Sequence, residues 1–170
     1  MFLILQIVAV FLASITMSLA LAHALEFPGK VRLNREFYVA TQSIYYPGFT
    51  IAGTAELAAI LATLILLLLT PATSPAFPWT LAGFVGLIAV HAVYWIYTHP
   101  VNKFWVKDLE LQGAGAAFFS LAAEKRHPDM NLESDEAWKS LRDRWEYSHL
   151  ARAILAVISL IALIVALAIR

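Results

Sequence analysis

Residues 2–25, FLILQIVAVFLASITMSLALAHAL, run without a charged side chain until Glu26. A helix that crosses a bilayer needs about 20 mostly apolar residues, because the hydrocarbon core is about 30 Å thick and each residue adds about 1.5 Å. The stretch meets that length, and so do residues 49–69, 79–98 and 150–169. The pattern predicts an all-α integral membrane protein. It would be a single domain over residues 1–170, a four-helix transmembrane bundle with loops at 26–48 and 99–149. Ala20-Leu21-Ala22 looks like a signal-peptidase site, but no basic segment precedes it and the apolar run is long for a leader, so the first stretch is expected to be retained as a span.

Composition agrees. Apolar residues make up 61%, charged residues 14%, and mean hydropathy is +0.72, against about 45–50% and 25% in soluble domains. Twelve basic and twelve acidic residues cancel, so no global field favours nucleic acid. With no cysteine, thiolate metal sites, iron–sulfur clusters and cysteine nucleophiles are excluded, and a metal would need His and carboxylates.

The basic residues fall on one side. Lys30, Arg32 and Arg35 lie in the first loop, and Lys103, Lys107, Lys125, Arg126, Lys139, Arg142 and Arg144 in the third, while residues 71–78 carry none. Basic loops stay cytoplasmic, which puts both termini outside, in the plasma or inner membrane if the source is bacterial. After Asn34, a suitable N-cap, residues 35–45 place Phe37, Ala40, Thr41, Ile44 and Tyr45 on one face of a short surface helix that Pro47-Gly48 ends. Pro100 is expected to break the third helix, Gly113 and Gly115 to allow a bend, and Pro128-Asp129 to mark a second stop. Ser134, followed by Asp135 and Glu136, starts a helix that continues unbroken to residue 169, so its first turns form a cytoplasmic extension of the fourth span.

Ionisable residues at membrane depth are expensive and therefore informative. Glu56 and His91 each lie about eight residues from the cytoplasmic end of their span, roughly 12 Å deep, and could meet. Either they form a structural hydrogen bond through a neutral carboxyl, or they belong to a site. A second layer sits at the interface. His23 and Glu26, and Glu146 and His149, are carboxylate–imidazole pairs three residues apart, as in di-iron bundles, and His99 lies at the same level. Glu56, His91, His23, Glu26, His99 and Glu146 are therefore candidate ligands for iron, copper or haem. Trp138, Arg142, Trp145, His149 and Arg152 form a single helical stripe. The stripe is either a packing seam with Arg stacked on Trp, or one wall of a pocket for a flat lipophilic ligand.

Thr98-His99-Pro100-Val101-Asn102-Lys103-Phe104, followed by Trp138, Trp145, His149 and Arg152, resembles the anthrone oxygenase-like four-helix membrane proteins, a large and mostly uncharacterised family. Pro28 and Gln42 fit its pattern loosely. Members with an assigned role oxidise anthrones to anthraquinones with molecular oxygen and without an evident cofactor. The resemblance implies His149 as base, Asn102 and Arg152 as stabilisers of the anion, and Trp145 as part of the site; the pocket reading of the stripe adds Trp138 and Arg142 as substrate-holding residues. His23-Ala24-Leu25-Glu26 and His91 depart from the pattern and leave room for a metal-dependent oxidation. The expected function is an oxygenase or oxidoreductase for a lipophilic aromatic or quinone-like compound. The competing expectation is an accessory subunit, a homo-oligomer or part of a larger membrane complex, for which Gly53, Ala55, Ala58, Ala59, Ala62, Gly83 and Gly86 offer close-packing surfaces within or between chains. A transporter is disfavoured, because no span has an interior proline and no repeat is visible.

Overall fold

The computed structural model describes residues 1–105 and 134–169. The expected bend at Gly113 and Gly115, the stop at Pro128-Asp129 and the cations Lys107, Lys125 and Arg126 lie outside those residues. Helix α1 is Phe2–Lys30, α2 is Arg35–Gln42, and a short 3-10 turn, Ser43–Tyr45, leads through a cis Tyr46-Pro47 bond to α3, Gly48–Ala52. Next come α4, Thr54–Leu69, and α5, Phe77–Val93. A π turn, Tyr94–Thr98, joins α5 to α6, His99–Trp105, and α7 is Asp135–Ala168. Four segments are long and apolar enough to cross a membrane: Phe2–Lys30, Gly48–Leu69, Phe77–Asn102 and Asp135–Ala168.

The helix starts follow the sequence. Asn34 Oδ1 accepts from the Phe37 N–H at 3.0 Å, and Ser134 Oγ accepts from the Ala137 N–H at 3.2 Å. Two expectations need correction. First, α1 continues past residue 25 to Lys30, because Pro28 falls in its last turn and does not stop it. In α2 and the turn after it, Phe37, Ala40 and Ile44 are exposed, while Tyr38 and Gln42 are buried and the Tyr38 hydroxyl donates to the fully buried Glu146 at 2.9 Å. Second, Pro100 does not break the third helix. An ordinary residue at 100 would donate its N–H to the Ile96 carbonyl, which instead accepts from Arg144 Nη2 at 2.8 Å. One residue earlier, the His99 N–H reaches back five residues to Tyr94. The chain therefore widens into a π turn and stays helical.

Around the bundle α1 packs on α4, α4 on α5, α5 on α7 and α7 on α1. Small residues make the contacts: Ala9, Ala13, Ala20, Ala59, Ala62, Ala153, Ala156 and Ala162 are buried. A Cβ on Gly83 would lie 2.7 Å from the Leu163 side chain, and one on Gly86 would lie 2.5 Å from Ser159 Oγ. Ser159 Oγ also donates to the Gly83 carbonyl. Both glycines thus serve packing within the chain, between α5 and α7. Large aliphatic residues face outward instead, among them Leu57, Leu61, Ile65 and Leu68 on α4 and Ile154, Ile158, Ile161 and Ile164 on α7. This inverts the usual distribution of a protein surrounded by water.

Candidate functional site

At the end of the bundle where α1 finishes and α7 begins, a cavity of about 530 Å³ opens between the helices. Its wall is aromatic and aliphatic, with Tyr45, Phe49, Leu57, Tyr94, Trp95 and Trp145 prominent, and a few polar groups converge on it: His23, Glu56, His91, Asn102, His149 and Arg152. A large, mostly apolar hollow with few polar groups is the usual form of a small-molecule site.

Glu56 and His91 do meet, with Glu56 Oε1 and His91 Nδ1 at 2.8 Å. The indole N–H of Trp95 donates to His91 Nε2 at 2.8 Å. An indole can only donate, so Nε2 is the acceptor and the imidazole proton sits on Nδ1, facing the carboxylate. Arg152 Nη2 donates to the other oxygen, Oε2, at 2.7 Å. Glu56 is therefore held as a carboxylate between a guanidinium and an imidazole, not as the neutral carboxyl of the structural alternative. Arg152 also joins the two layers that depth alone seemed to separate, because its Nη1 lies 3.4 Å from His149 Nδ1.

His149 is buried between two rings, with centroids 4.1 Å from His23 and 4.2 Å from Trp145. Arginine can only donate, so Nδ1 accepts and the proton belongs on Nε2. Nε2 is itself buried and has no hydrogen-bond partner among the described residues. His149, expected as a base, thus carries its proton on a buried nitrogen that has no partner among the described residues, on a ring that belongs to the cavity lining. Asn102, expected to stabilise an anion, is engaged on both sides. Its Oδ1 accepts from Trp145 Nε1 at 2.7 Å, and its side chain also bonds the Tyr94 hydroxyl. It positions those two aromatic walls.

The other candidates lie away from the cavity. Trp138 packs with Tyr38, Val101, Trp105, Leu141 and Trp145 beneath it, and Arg142 stacks over the Trp138 ring at 5.2 Å while pairing with Asp143. Neither lines the hollow, so this part of the stripe is the packing seam. His99 accepts or donates at Nδ1 to the Tyr94 hydroxyl, 3.0 Å away. Glu26 and Glu146 flank Lys30, whose Nζ lies 3.5 Å and 3.1 Å from them. Tyr45 donates to Glu26, and Tyr38 to Glu146. Among the described residues no three His, Asp or Glu side chains converge where they could hold a metal. Instead Glu56 pairs with Arg152 and His91, Glu26 and Glu146 flank Lys30, His99 bonds the Tyr94 hydroxyl, and His23 packs among the rings of Tyr45, Phe49, Trp145 and His149.

Lys30 was legible only as a loop charge. It is buried, with Nζ 4.7 Å from the Trp145 ring and 5.4 Å from that of Tyr45, so it braces the cavity wall from behind. Burial, with Glu146 beside Tyr38 and Glu26 beside Tyr45, holds both phenols above the ordinary tyrosine range. No family model, no curated protein and no solved structure matches the chain.

Proposed function

We propose that the chain is a multi-pass membrane protein, with its basic segments cytoplasmic, that oxidises a lipophilic hydroxylated aromatic compound in this cavity. The outward aliphatic belt supports insertion, since an apolar phase is the solvent that such a surface suits. The observation that carries the chemistry is the buried His149 N–H, without a partner among the described residues, on a ring that lines the aromatic cavity beside Arg152. A buried unsatisfied donor costs about 1–3 kcal/mol, and a ligand oxygen placed there removes that cost. Its benefit is larger for an oxyanion than for a carbonyl.

On this reading the substrate oxygen sits against His149 and Arg152, which stabilise its phenolate or enolate. Glu56, the carboxylate in the lining, receives the proton lost from the substrate C–H or O–H. For an anthrone, the electron pair left at carbon forms the C–O bond to molecular oxygen. The resulting peroxide regains a proton and loses water, leaving the new carbonyl and balancing one O2 against one H2O. Trp145, Tyr45 and Phe49 supply flat surfaces for the rings.

The test is oxygen uptake with a hydroxylated anthrone by protein in lipid nanodiscs. His149→Phe keeps the ring stack and removes the donor, and it should lower kcat/KM by about 100-fold or more, the usual cost of losing an oxyanion donor. Uptake that does not differ between wild type and His149→Phe would overturn this role. A wild-type protein that neither binds nor turns over any such compound would favour the accessory-subunit reading.

A further inference from the structure

His23, Trp145 and His149 of the lining are buried, and its exposed residues come from the stretch 47–57 and from Trp95. Ile51, Thr54 and Leu57 of the α3–α4 segment and Trp95 of the π turn line the hollow and also face outward, with Ile51 66%, Leu57 51% and Trp95 40% exposed. The mouth therefore opens through the side of the bundle, at the seam between α4 and α5. Two exposed stripes leave from it. Leu57, Leu61, Ile65 and Leu68 follow one another at helical spacing along α4, and Ile88, Val85 and Leu81 do so along the neighbouring α5, beyond Trp95 of the π turn. Both run toward the far end of the bundle and carry no charge. A ligand longer than the cavity must send its trailing end along these stripes.

We infer that the site takes a flat hydroxylated ring bearing a long alkyl or isoprenoid chain, with the ring in the cavity and the chain lying along the α4 stripe in the bilayer. The inference rests on the pocket reading above and adds the class of molecule. The ring matches the aromatic walls and its oxygen the His149 donor. The chain matches an aliphatic surface that a water-soluble substrate would leave unused. Trp95, held by its hydrogen bond to His91, forms the rim that the chain must pass.

The experiment uses protein in nanodiscs and two probes, a hydroxynaphthoquinone without a side chain and the same ring with a straight alkyl chain. Each affinity is compared between wild type and a variant in the same nanodiscs, so partitioning into lipid cancels from the ratio. Leu57→Trp narrows the mouth and, because Leu57 also lines the hollow, is expected to weaken both probes, the chain-bearing ring about tenfold more than the bare ring. Ile51→Trp, across the mouth, should do the same if Leu57→Trp fails to assemble. Leu68→Trp, on the same stripe beyond the mouth, should leave the bare ring unchanged. Equal weakening of both probes by the mouth variants, or no effect on either, would overturn the chain assignment and leave the pocket standing. Failure of wild type to bind either ring would overturn both.

Discussion

Glu56→Gln separates a working ion pair from an incidental one. The wild-type carboxylate gives one oxygen to Arg152 and the other to His91, and both partners donate. A glutamine has a single oxygen, so one of those donors must face an amide N–H. His91 cannot escape by changing tautomer, because its other nitrogen already accepts from Trp95. The unsatisfied donor costs about 1–3 kcal/mol. Arg152, with a side chain only 12% exposed, also loses its counter-charge, and breaking a buried pair from one side costs about 3–5 kcal/mol in total. For a chain of this length that corresponds to a melting temperature lower by about 6 °C or more. Thermal unfolding in mild detergent measures it directly. Adding Arg152→Gln removes the stranded charge and should restore at least half of the loss. A single variant within about 0.5 kcal/mol of wild type, below the usual cost of a stranded donor, would refute the ion-pair reasoning and return Glu56 to a neutral, structural carboxyl. So would a double variant no more stable than the single one.

Gly86→Ala would bring a Cβ to 2.5 Å from Ser159 Oγ, and should cost about 1–3 kcal/mol in unfolding assays, less when combined with Ser159→Ala. Arg144→Ala strips the Ile96 carbonyl of its partner and should cost about 1 kcal/mol. In a Pro100→Ala background the restored N–H can take that carbonyl, so the same change should be nearly silent, and a double-mutant cycle reads the coupling. Tyr38 and Tyr45 favour the neutral phenol in the fold, so their contribution is complete below the unfolded tyrosine value and is lost as pH rises beyond it. Stability should therefore fall above about pH 10, by about 1.4 kcal/mol per pH unit for each phenol. In a spectrophotometric titration, Tyr38→Phe should remove phenolate signal only from the step that accompanies unfolding.

Much of the fold is legible because its signals are local. An uncharged run of 24 residues admits few structures other than a long helix, and the N-caps at Asn34 and Ser134 act within one turn. The meeting of Glu56 with His91 followed from equal depth alone. What depth cannot give is the rotation of one helix against another. That rotation brings Arg152 to Glu56, and it turns Tyr38 inward while Phe37 points out. The stripe from Trp138 to Arg152 spans about 21 Å at helical rise, longer than the hollow, so only Trp145, His149 and Arg152 reach it. Lys30 lies beyond Glu26, where the uncharged run stops, and its partners come from residues as distant as Glu146. The π turn left no sequence signal except Pro100, whose missing donor it accommodates together with Arg144.

The central claim is that His149 offers its Nε2 proton to whatever occupies the cavity. Selective nitrogen-15 labelling of the five histidines, with the His149 signals assigned by their disappearance in His149→Phe, tests it in the intact protein. The expected spectrum shows the proton on Nε2, and a shift of that signal when a hydroxylated ring is added. A proton on Nδ1, or His149 signals that stay fixed while the ring binds, would contradict it.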